Sequence, residues 1–294
     1  MEHELVFKHI EYEDLPFIQS VVNKQTYRSC DYTVYNLYTL RDYYQYTYAK
    51  VGDGLMLRYI EDNEIVYSFP LVFKDSPYEF IESIKEKINF SMLSQEEVLK
   101  LEEKYQVEAK PERDYFDYLY EIDELSLLPG KRNNKLRNHV NKFNSMYEGK
   151  YTLSEITNED GPRIAKFIEE YRDHENEDES YNHDLESCKD IFLNYDKFKD
   201  YFISYKLEID GRIVAIASGE VIQDTVYLHV LKAFREYQGI YHFMNKSFCS
   251  KIKENYPHVI YVNREDDLGD LGLRKSKLQY HPLRFVEKSN VKML

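Results

Sequence analysis

A short motif occurs twice in this sequence, once in each half. Residues 10–18 read IEYEDLPFI and residues 156–164 read ITNEDGPRI, with five identities at an offset of 146 positions (156 − 10 = 146). A strand is expected before each copy, and the Glu-Asp pair and the proline are typical of the first turn of a helix. Because 294 residues is close to twice the offset, the repeat predicts two similar domains, residues 1–147 and 148–294.

The second half shows its order of elements most clearly. We predict a strand over residues 202–209, a turn at Asp210-Gly211, strands over 213–221 and 226–231, an amphipathic helix over 240–252 and a strand over 259–262. The first half has compatible strands over 4–10, 55–60 and 65–72 and helices over 78–88 and 94–105. This order predicts an α/β (α+β) protein of two tandem acetyltransferase-like (GNAT-type) domains, each a mixed, largely antiparallel sheet flanked by helices.

Charge and apolar patterning restrict the partners of the chain. A net charge of −14 opposes binding to DNA or to anionic lipid, and RNA could approach only through a local basic patch. No apolar run approaches the ~20 residues that cross a bilayer, and the start of the chain lacks a signal-peptide pattern, so we expect a cytoplasmic protein. The three cysteines have no metal-type spacing, and the sequence predicts no metal site.

One basic segment, residues 131–142, stands out against this acidic background. It holds five basic residues and a histidine without any acid, and on a helix Leu136, Val140 and Phe143 would share the core face. The functional interpretation is a site for a phosphate, an RNA backbone or a carboxylate, with Lys135, Arg137 and Asn138 as binding residues. The alternative is a solvated helix face paired with acidic neighbours.

A second charged segment follows the last predicted strand of the second half, beginning at Asn263. Ligands of open α/β sheets collect beyond the carboxyl ends of strands, so Arg264, Arg274 and Lys277 are candidates for holding a phosphate or carboxylate. Glu265 and Asp267 are candidates for taking a proton from an amine or binding its ammonium form. The alternative is a salt-bridge network that locks the strand to the next helix.

A third group lies around the strand and helix of residues 226–252. His229, Lys232 and Tyr241 are candidates here, although a satisfied core histidine is the commoner explanation for His229. The turn at residues 235–241 retains only Gly239 of the pattern that binds the pyrophosphate of coenzyme A in acetyltransferases, so the usual mode of coenzyme A binding is not expected. The acidic run from residue 174 to 180 is interpreted as a solvated loop.

Six stretches carry a resemblance to a known family. They are DYFDYLY at 114–120, KLRNHVNKF at 135–143, AIASGE at 215–220, HVLKA at 229–233, GIY at 239–241 and the run from 263 to 282. With them the chain resembles a bacterial family allied to the C-terminal domain of phosphatidylglycerol lysyltransferase, a relative of the Fem-type aminoacyl transferases. The resemblance implies two acetyltransferase-like domains in tandem and, for the lysyltransferases, transfer of an aminoacyl group from a charged transfer RNA to a lipid headgroup.

The leading hypothesis is therefore an acyl or aminoacyl transferase with an amine or hydroxyl acceptor. Its donor would carry phosphate groups, as an aminoacyl-tRNA or an acyl-coenzyme A does. Two alternatives stay open: a non-catalytic binding module for a phosphorylated metabolite, a lipid headgroup or RNA, and an acetyl-coenzyme A-dependent acetyltransferase. The predicted catalytic residues are Glu265, Asp267 and Lys232, and the predicted substrate-binding residues are Lys135, Arg137, Asn138, His229, Tyr241, Asn263, Arg264, Arg274 and Lys277.

Overall fold

A computed structural model describes residues 5–61, 63–84, 88–174 and 179–294 of the chain. The chain forms two compact units. The first comprises Met1–Tyr118, Glu265–Lys275 and Arg284–Leu294, and the second comprises Leu119–Arg264 and Ser276–Leu283. No helix among the described residues is long and apolar enough to cross a bilayer.

The structure contains short strands and mostly short helices. The strands are β1 Lys8–His9, β2 Thr47–Val51, β3 Gly54–Glu61, β4 Glu64–Tyr67, β5 Asn89–Leu93, β6 Val107–Pro111, β7 Asp117–Glu121, β8 Tyr151–Glu155, β9 Ile203–Ile209, β10 Arg212–Ile222, β11 Thr225–Ala233, β12 Tyr261–Asn263, β13 Arg284–Val286 and β14 Ser289–Met293. The helices are α1 Leu15–Val22, α2 Val34–Thr39, α3 Pro77–Glu82, α4 Gln95–Glu102, α5 Ile122–Leu127, α6 Asn134–Tyr147, α7 Gly161–His174, α8 Glu179–Leu193, α9 Tyr195–Phe198, α10 Ile240–Asn255 and α11 Leu271–Leu278.

The strands form two seven-stranded sheets with matching topology. The first has the order β1-β2-β3-β4-β5-β14-β6, and the second, counted from β8, has the order β8-β9-β10-β11-β12-β7-β13. Each contains a parallel pair at the same place, β4 with β5 and β11 with β12. Both sheets are therefore mixed, largely antiparallel and flanked by helices, as the sequence predicted.

Each sheet also contains one strand from the other half of the sequence. β14 lies between β5 and β6 in the first sheet, and β7 takes the same position in the second. The compact units consequently differ from the contiguous halves 1–147 and 148–294, because residues 119–147 group with the second unit and residues 284–294 with the first. The division of the repeat between residues 147 and 148 stays a prediction.

The two copies of the repeated motif have the same local structure. Each forms a single 3-10 turn closed by a capping box, in which Asp14 Oδ2 accepts from the Glu11 N–H at 3.1 Å and Asp160 Oδ2 accepts from the Thr157 N–H at 2.9 Å. Both turns lead directly into a helix, α1 and α7. A capping carboxylate satisfies backbone donors that the start of a helix leaves unpaired. This chemistry explains why the Glu-Asp pair recurs at a fixed offset.

Most predicted elements are present, with boundaries that differ by a few residues in either direction; β10, β11 and α10 extend beyond their predicted bounds. Asp210 and Gly211 have φ of +50° and +79°, as the turn of the β9–β10 hairpin requires, and Leu136, Val140 and Phe143 are buried on α6. The strand expected at 4–10 is reduced to β1, with residue 4 outside the described residues, and the one expected at 259–262 begins only at Tyr261. The helix expected over 78–88 ends at Glu82; residues 85–87, and residues 175–178 of the acidic run, lie outside the described residues.

Candidate active site

The loop that follows β12 has an unusual backbone. Asn263, the last residue of β12, is fully buried, and Glu265 and Leu268 have φ of +57° and +47°, in the left-handed region that non-glycine residues avoid. Gly269, at +78°, takes the same region without cost. Such a conformation persists only where surrounding contacts hold it.

Asp267 provides those contacts in the first unit. Its carboxylate is fully buried and accepts from Arg274 Nε at 3.0 Å, from Arg274 Nη2 at 2.7 Å and from the Gly269 N–H at 3.0 Å. It also accepts from the Tyr118 hydroxyl and lies 3.3 Å from Arg113 Nη1. Burial alone would raise the pKa of Asp267, but the donors led by Arg274 outweigh it and lower the pKa to about 2. A carboxylate this strongly held is a poor proton acceptor, so these contacts favour a positioning role over the predicted catalytic one.

Arg274 is likewise engaged within the first unit. Besides its bidentate pair with Asp267, its Nη2 donates to Asp114 Oδ1 at 2.6 Å. These two carboxylates raise the pKa of the guanidinium further. The salt-bridge network that the sequence left as an alternative is therefore present here, and the contacts give no support to Arg274 as a substrate anchor.

Glu265 has a different environment from Asp267. Its Oε1 accepts from the neutral side-chain amide of Asn36 at 3.1 Å, and its backbone carbonyl accepts from the Tyr118 N–H at 3.1 Å. The residue is half buried. The backbone of Glu265 is therefore fixed, and its carboxylate is positioned by a neutral amide. This arrangement suits a group that accepts a proton or binds an ammonium group.

A buried charge cluster near the same loop was missed by the sequence analysis. Lys288 is fully buried, and its Nζ lies 2.7 Å from Asp117 Oδ1, 2.8 Å from Asp31 Oδ2 and 3.5 Å from Cys30 Sγ. Candidate ligand atoms of Cys30, Asp117 and Asp266 lie within 4.8 Å of one another, a spacing that could suit a metal ion. The Lys288 ammonium group already supplies positive charge to Asp117 and Asp31. Only the position of Asp117 in a family motif offered a signal in the sequence.

In the second unit, a row of buried polar side chains crosses the sheet where β11 and β12 part. Glu220 pairs with Tyr227 and Tyr227 with Asn263, so the three lie side by side on β10, β11 and β12. Beyond this row β12 ends while β11 continues to Ala233. His229 lies at the bulge just past the row, stacks on Tyr227 and has its Nε2 3.5 Å from Glu220 Oε1.

The row and the adjacent His229 bring together two predicted residues, Asn263 and His229, and a third, Glu220, that was noted only as part of a motif. All three side chains are at least nine-tenths buried. Buried carboxylate, imidazole and amide groups are costly unless they are satisfied or used. The row and His229 are therefore a candidate polar site at a strand end in the second unit.

Lys232, a predicted catalytic residue, and Tyr241, a predicted substrate-binding residue, both contact other side chains of the second unit. Lys232 Nζ lies 2.7 Å from Asp184 Oδ2; burial would lower the pKa of Lys232, but Asp184 and Cys188 raise it above its ordinary value. The contact with Asp184 favours the charged form of Lys232, which suits a charge-pairing role better than the predicted catalytic one. The Tyr241 hydroxyl lies 3.0 Å from that of Tyr171, and burial raises the pKa of Tyr241.

The basic helix α6 divides its side chains between internal contacts and solvent. Arg137 donates to the carbonyls of Leu128 and Gly130 and to Asn134, so it stabilises the turn before α6. Lys135 and Asn138 are exposed. Of the three predicted binding residues on this helix, Arg137 is held by its own chain and the other two face solvent.

Gly239, the remaining glycine of the coenzyme A pattern, is explained by packing. Its φ is +84°, and a Cβ at this position would lie 2.2 Å from the backbone oxygen of His139 on α6. A side chain is excluded by both backbone strain and the approach of α6. The glycine therefore does not by itself indicate a pyrophosphate site.

Arg264 and Lys277 lie together in the second unit. Lys277 is buried and its Nζ donates to the backbone oxygen of Arg264 at 2.6 Å, while the Tyr120 hydroxyl donates to the Lys277 carbonyl at 2.8 Å. Lys277 thus fixes the main chain just beyond β12. The Arg264 guanidinium lies over two rings, 4.8 Å from the centre of Tyr280 and 5.9 Å from that of Tyr120.

The sequence profile of one protein family, described as "Phosphatidylglycerol lysyltransferase, C-terminal", matches residues 24–292. The chain belongs to this family.

Solved structures agree with this membership. A conserved protein of unknown function from Bacteroides thetaiotaomicron is 26% identical with a TM-score of 0.90, covering 99% of this chain and 100% of that one. L-PGS from Bacillus licheniformis is 14% identical with a TM-score of 0.70, covering 98% and 93% of the two chains. FemX is 12% identical with a TM-score of 0.62, covering 99% and 98%. This member of the phosphatidylglycerol lysyltransferase C-terminal family therefore has the predicted fold of two acetyltransferase-like halves, shared with L-PGS and FemX.

Proposed function

We propose that this protein transfers an aminoacyl group from a phosphate-bearing donor to a hydroxyl or amine acceptor. The family match over residues 24–292 supports a transferase, because the family description names a lysyltransferase. The geometry of Glu265 supports it as the reacting residue. Its backbone is in the left-handed region, close to the hydrogen-bonded Asp267 carboxylate, and its own carboxylate accepts from Asn36.

Glu265 would act on the proton of the acceptor. The acceptor oxygen or nitrogen forms a bond to the carbonyl carbon of the aminoacyl ester, the bond to the donor oxygen breaks, and the acceptor proton passes by way of the carboxylate to that leaving oxygen. Holding the carboxylate on a rigid loop reduces the entropy that must be lost when the reacting groups align. Asp267 and Arg274 serve this step by positioning the loop.

The test is an assay of aminoacyl transfer with Glu265→Gln. The purified protein would be supplied with charged transfer RNA and phosphatidylglycerol vesicles, and the aminoacyl lipid quantified by mass spectrometry. Removing a general base costs about 10²- to 10⁴-fold, so we expect at least a hundredfold loss in rate. The matched control, Glu254→Gln, changes an exposed glutamate on α10 and should retain wild-type activity.

Two outcomes would count against the proposal. Wild-type transfer by Glu265→Gln would remove Glu265 from the mechanism, and absence of transfer with every charged donor and acceptor would favour the binding-module alternative. Acetyl-coenzyme A supplied as a separate donor distinguishes the third hypothesis; the turn at residues 235–241, which retains only Gly239 of the pyrophosphate-binding pattern, disfavours turnover with it.

A further inference from the structure

A second group of basic and aromatic side chains in the second unit is distinct from the residues of the proposed reaction. The rings of His139 on α6 and His242 on α10 stack with centres 4.6 Å apart and planes 23° apart. Burial and the neighbouring charges of His139, Arg264 and Lys135, in that order, lower the pKa of His242 to about 4. With Tyr280, these residues form what we call the basic-aromatic cluster: Lys135, His139, His242, Arg264 and Tyr280.

Arg264 is the member whose contacts are incomplete. Its Nη1 is buried without a hydrogen-bond partner, and no carboxylate lies within ion-pair distance of its guanidinium in the part of the chain that the structure describes. Arg132, Arg163 and Arg274, by contrast, each pair with a glutamate or aspartate. Leaving a buried charged donor unsatisfied costs more than an ordinary lost hydrogen bond. The cost would be offset by an anion that approaches Nη1.

Tyr280 holds the ring of His242 in place. The Tyr280 hydroxyl lies 2.5 Å from His242 Nδ1, and burial raises the pKa of Tyr280 to about 12, so the hydroxyl keeps its proton at neutral pH. When the hydroxyl donates that proton to Nδ1, neutral His242 carries its own proton on Nε2, which is then a donor for a ligand.

We propose that the basic-aromatic cluster binds the phosphate group of a phosphate ester. Guanidinium and imidazole N–H groups are strong donors to phosphate, and arginine presents two of them in a fork that matches two phosphate oxygens. Lys135, exposed one turn before His139, adds charge at the edge of the cluster. The proposal rests on the transferase function only in that a phosphate-bearing donor or headgroup is the expected ligand.

Binding can be measured without any transfer reaction. The full chain would be titrated with inorganic phosphate, with adenosine 5′-monophosphate and with glycerophosphoglycerol at constant ionic strength, by calorimetry and by the NMR signals of the histidine rings. We expect saturable binding that shifts the His139 and His242 signals. The three ligands distinguish free phosphate, a monoester and a lipid-headgroup diester.

Variants make the assignment specific. Arg264→Gln should weaken binding about tenfold or more, because a hydrogen bond to a charged group contributes about 1.5–3 kcal/mol. His139→Gln should also weaken binding and leaves the contact between His242 and Tyr280 in place, and Arg212→Gln, an exposed arginine paired with Glu170, is the control. The proposal is overturned if none of the three ligands shifts the histidine signals, or if Arg264→Gln folds and binds like the wild type. The binding assay contains no aminoacyl donor, so its result does not depend on transfer. Binding that persists in Glu265→Gln would therefore support this site even if the transferase proposal failed.

Discussion

At the scale of single residues, buried charge in this protein is organised by hydrogen bonds from several directions. Lys288 and Asp117 are both fully buried and 2.7 Å apart, and Asp267 collects donors from two arginines, a tyrosine and a backbone N–H. Breaking such a pair by removing one partner is costly, since the other charge stays buried. These residues therefore fix the backbone around Glu265 and are better regarded as a frame than as reacting groups.

The lowered pKa of His242 predicts how the stability of the protein depends on pH. Its pKa is about 4 in the folded protein and about 6.5 when unfolded, so the unfolded chain binds more protons between these values. Stability contributed by this residue is then complete above pH 6.5 and is lost as pH falls from 6.5 towards 4. Chemical denaturation of His242→Asn across this window should show a shallower dependence on pH than the wild type.

Asp267 titrates at lower pH and should not obscure the result, because its folded pKa is about 2 and its stabilisation is lost only below the ordinary aspartate range. His258, near the end of α10 and outside the cluster, provides the matched substitution. Equal pH dependence in His242→Asn and the wild type would contradict the buried neutral state of His242.

At the scale of elements, the sequence predicted the features that depend only on residues close together in the chain. The hairpin at Asp210-Gly211, the capping box at Ser94 and the buried face of α6 follow from turn chemistry, hydrogen bonding within one turn and helical periodicity. The cluster of charge after Asn263 was also visible. Its partners were not, because Tyr118 and Asp114 lie 149 and 160 positions away from Asp267 and Arg274. Sequence spacing shows where charge collects but not which groups neutralise it.

The contact between α6 and α10 can be tested at Gly239. Gly239→Ala would place a methyl group 2.2 Å from the His139 oxygen and strain a φ of +84°. We expect a loss of about 1–3 kcal/mol from the backbone alone, and more from the clash, in the free energy of unfolding by urea.

Gly211→Ala is the matched control, since its φ is +79° but no atom lies within 4 Å of the added Cβ. The difference between the two variants isolates the packing contribution. If both variants lose the same free energy, α6 does not restrict the start of α10.

At the scale of the whole molecule, the exchange of strands makes the two halves of the sequence interdependent. A fragment of residues 1–147 lacks β14, and a fragment of residues 148–294 lacks β7, so each sheet would lose a strand that lies between two others. Val291 of β14 is fully buried in the core of the first unit with Phe90 and Met56. No local pattern predicted this exchange: no strand was predicted at residues 117–121 or 289–293, and the positions of β7 and β14 depend on long-range pairing.

We therefore predict that neither fragment folds alone. Circular dichroism and thermal unfolding should show no cooperative transition for residues 1–147 or residues 148–294 separately, whereas the fragments produced together should form a complex with one. A full chain cleaved after residue 147 once it has folded provides the reference. A cooperative transition in either isolated fragment would show that the exchanged strand is dispensable.

The position of β14 in the sequence delays completion of the first sheet during translation. It begins 178 positions after β6 ends (289 − 111 = 178), and at about 5–20 residues per second translation of that interval takes roughly 10–35 s. During that time β5 and β6 have left the ribosome without the strand that belongs between them, so their unpaired edges are open to other chains. The first half cannot finish folding as it is made, and its solubility in the cell should depend on protection of those edges until translation reaches β14.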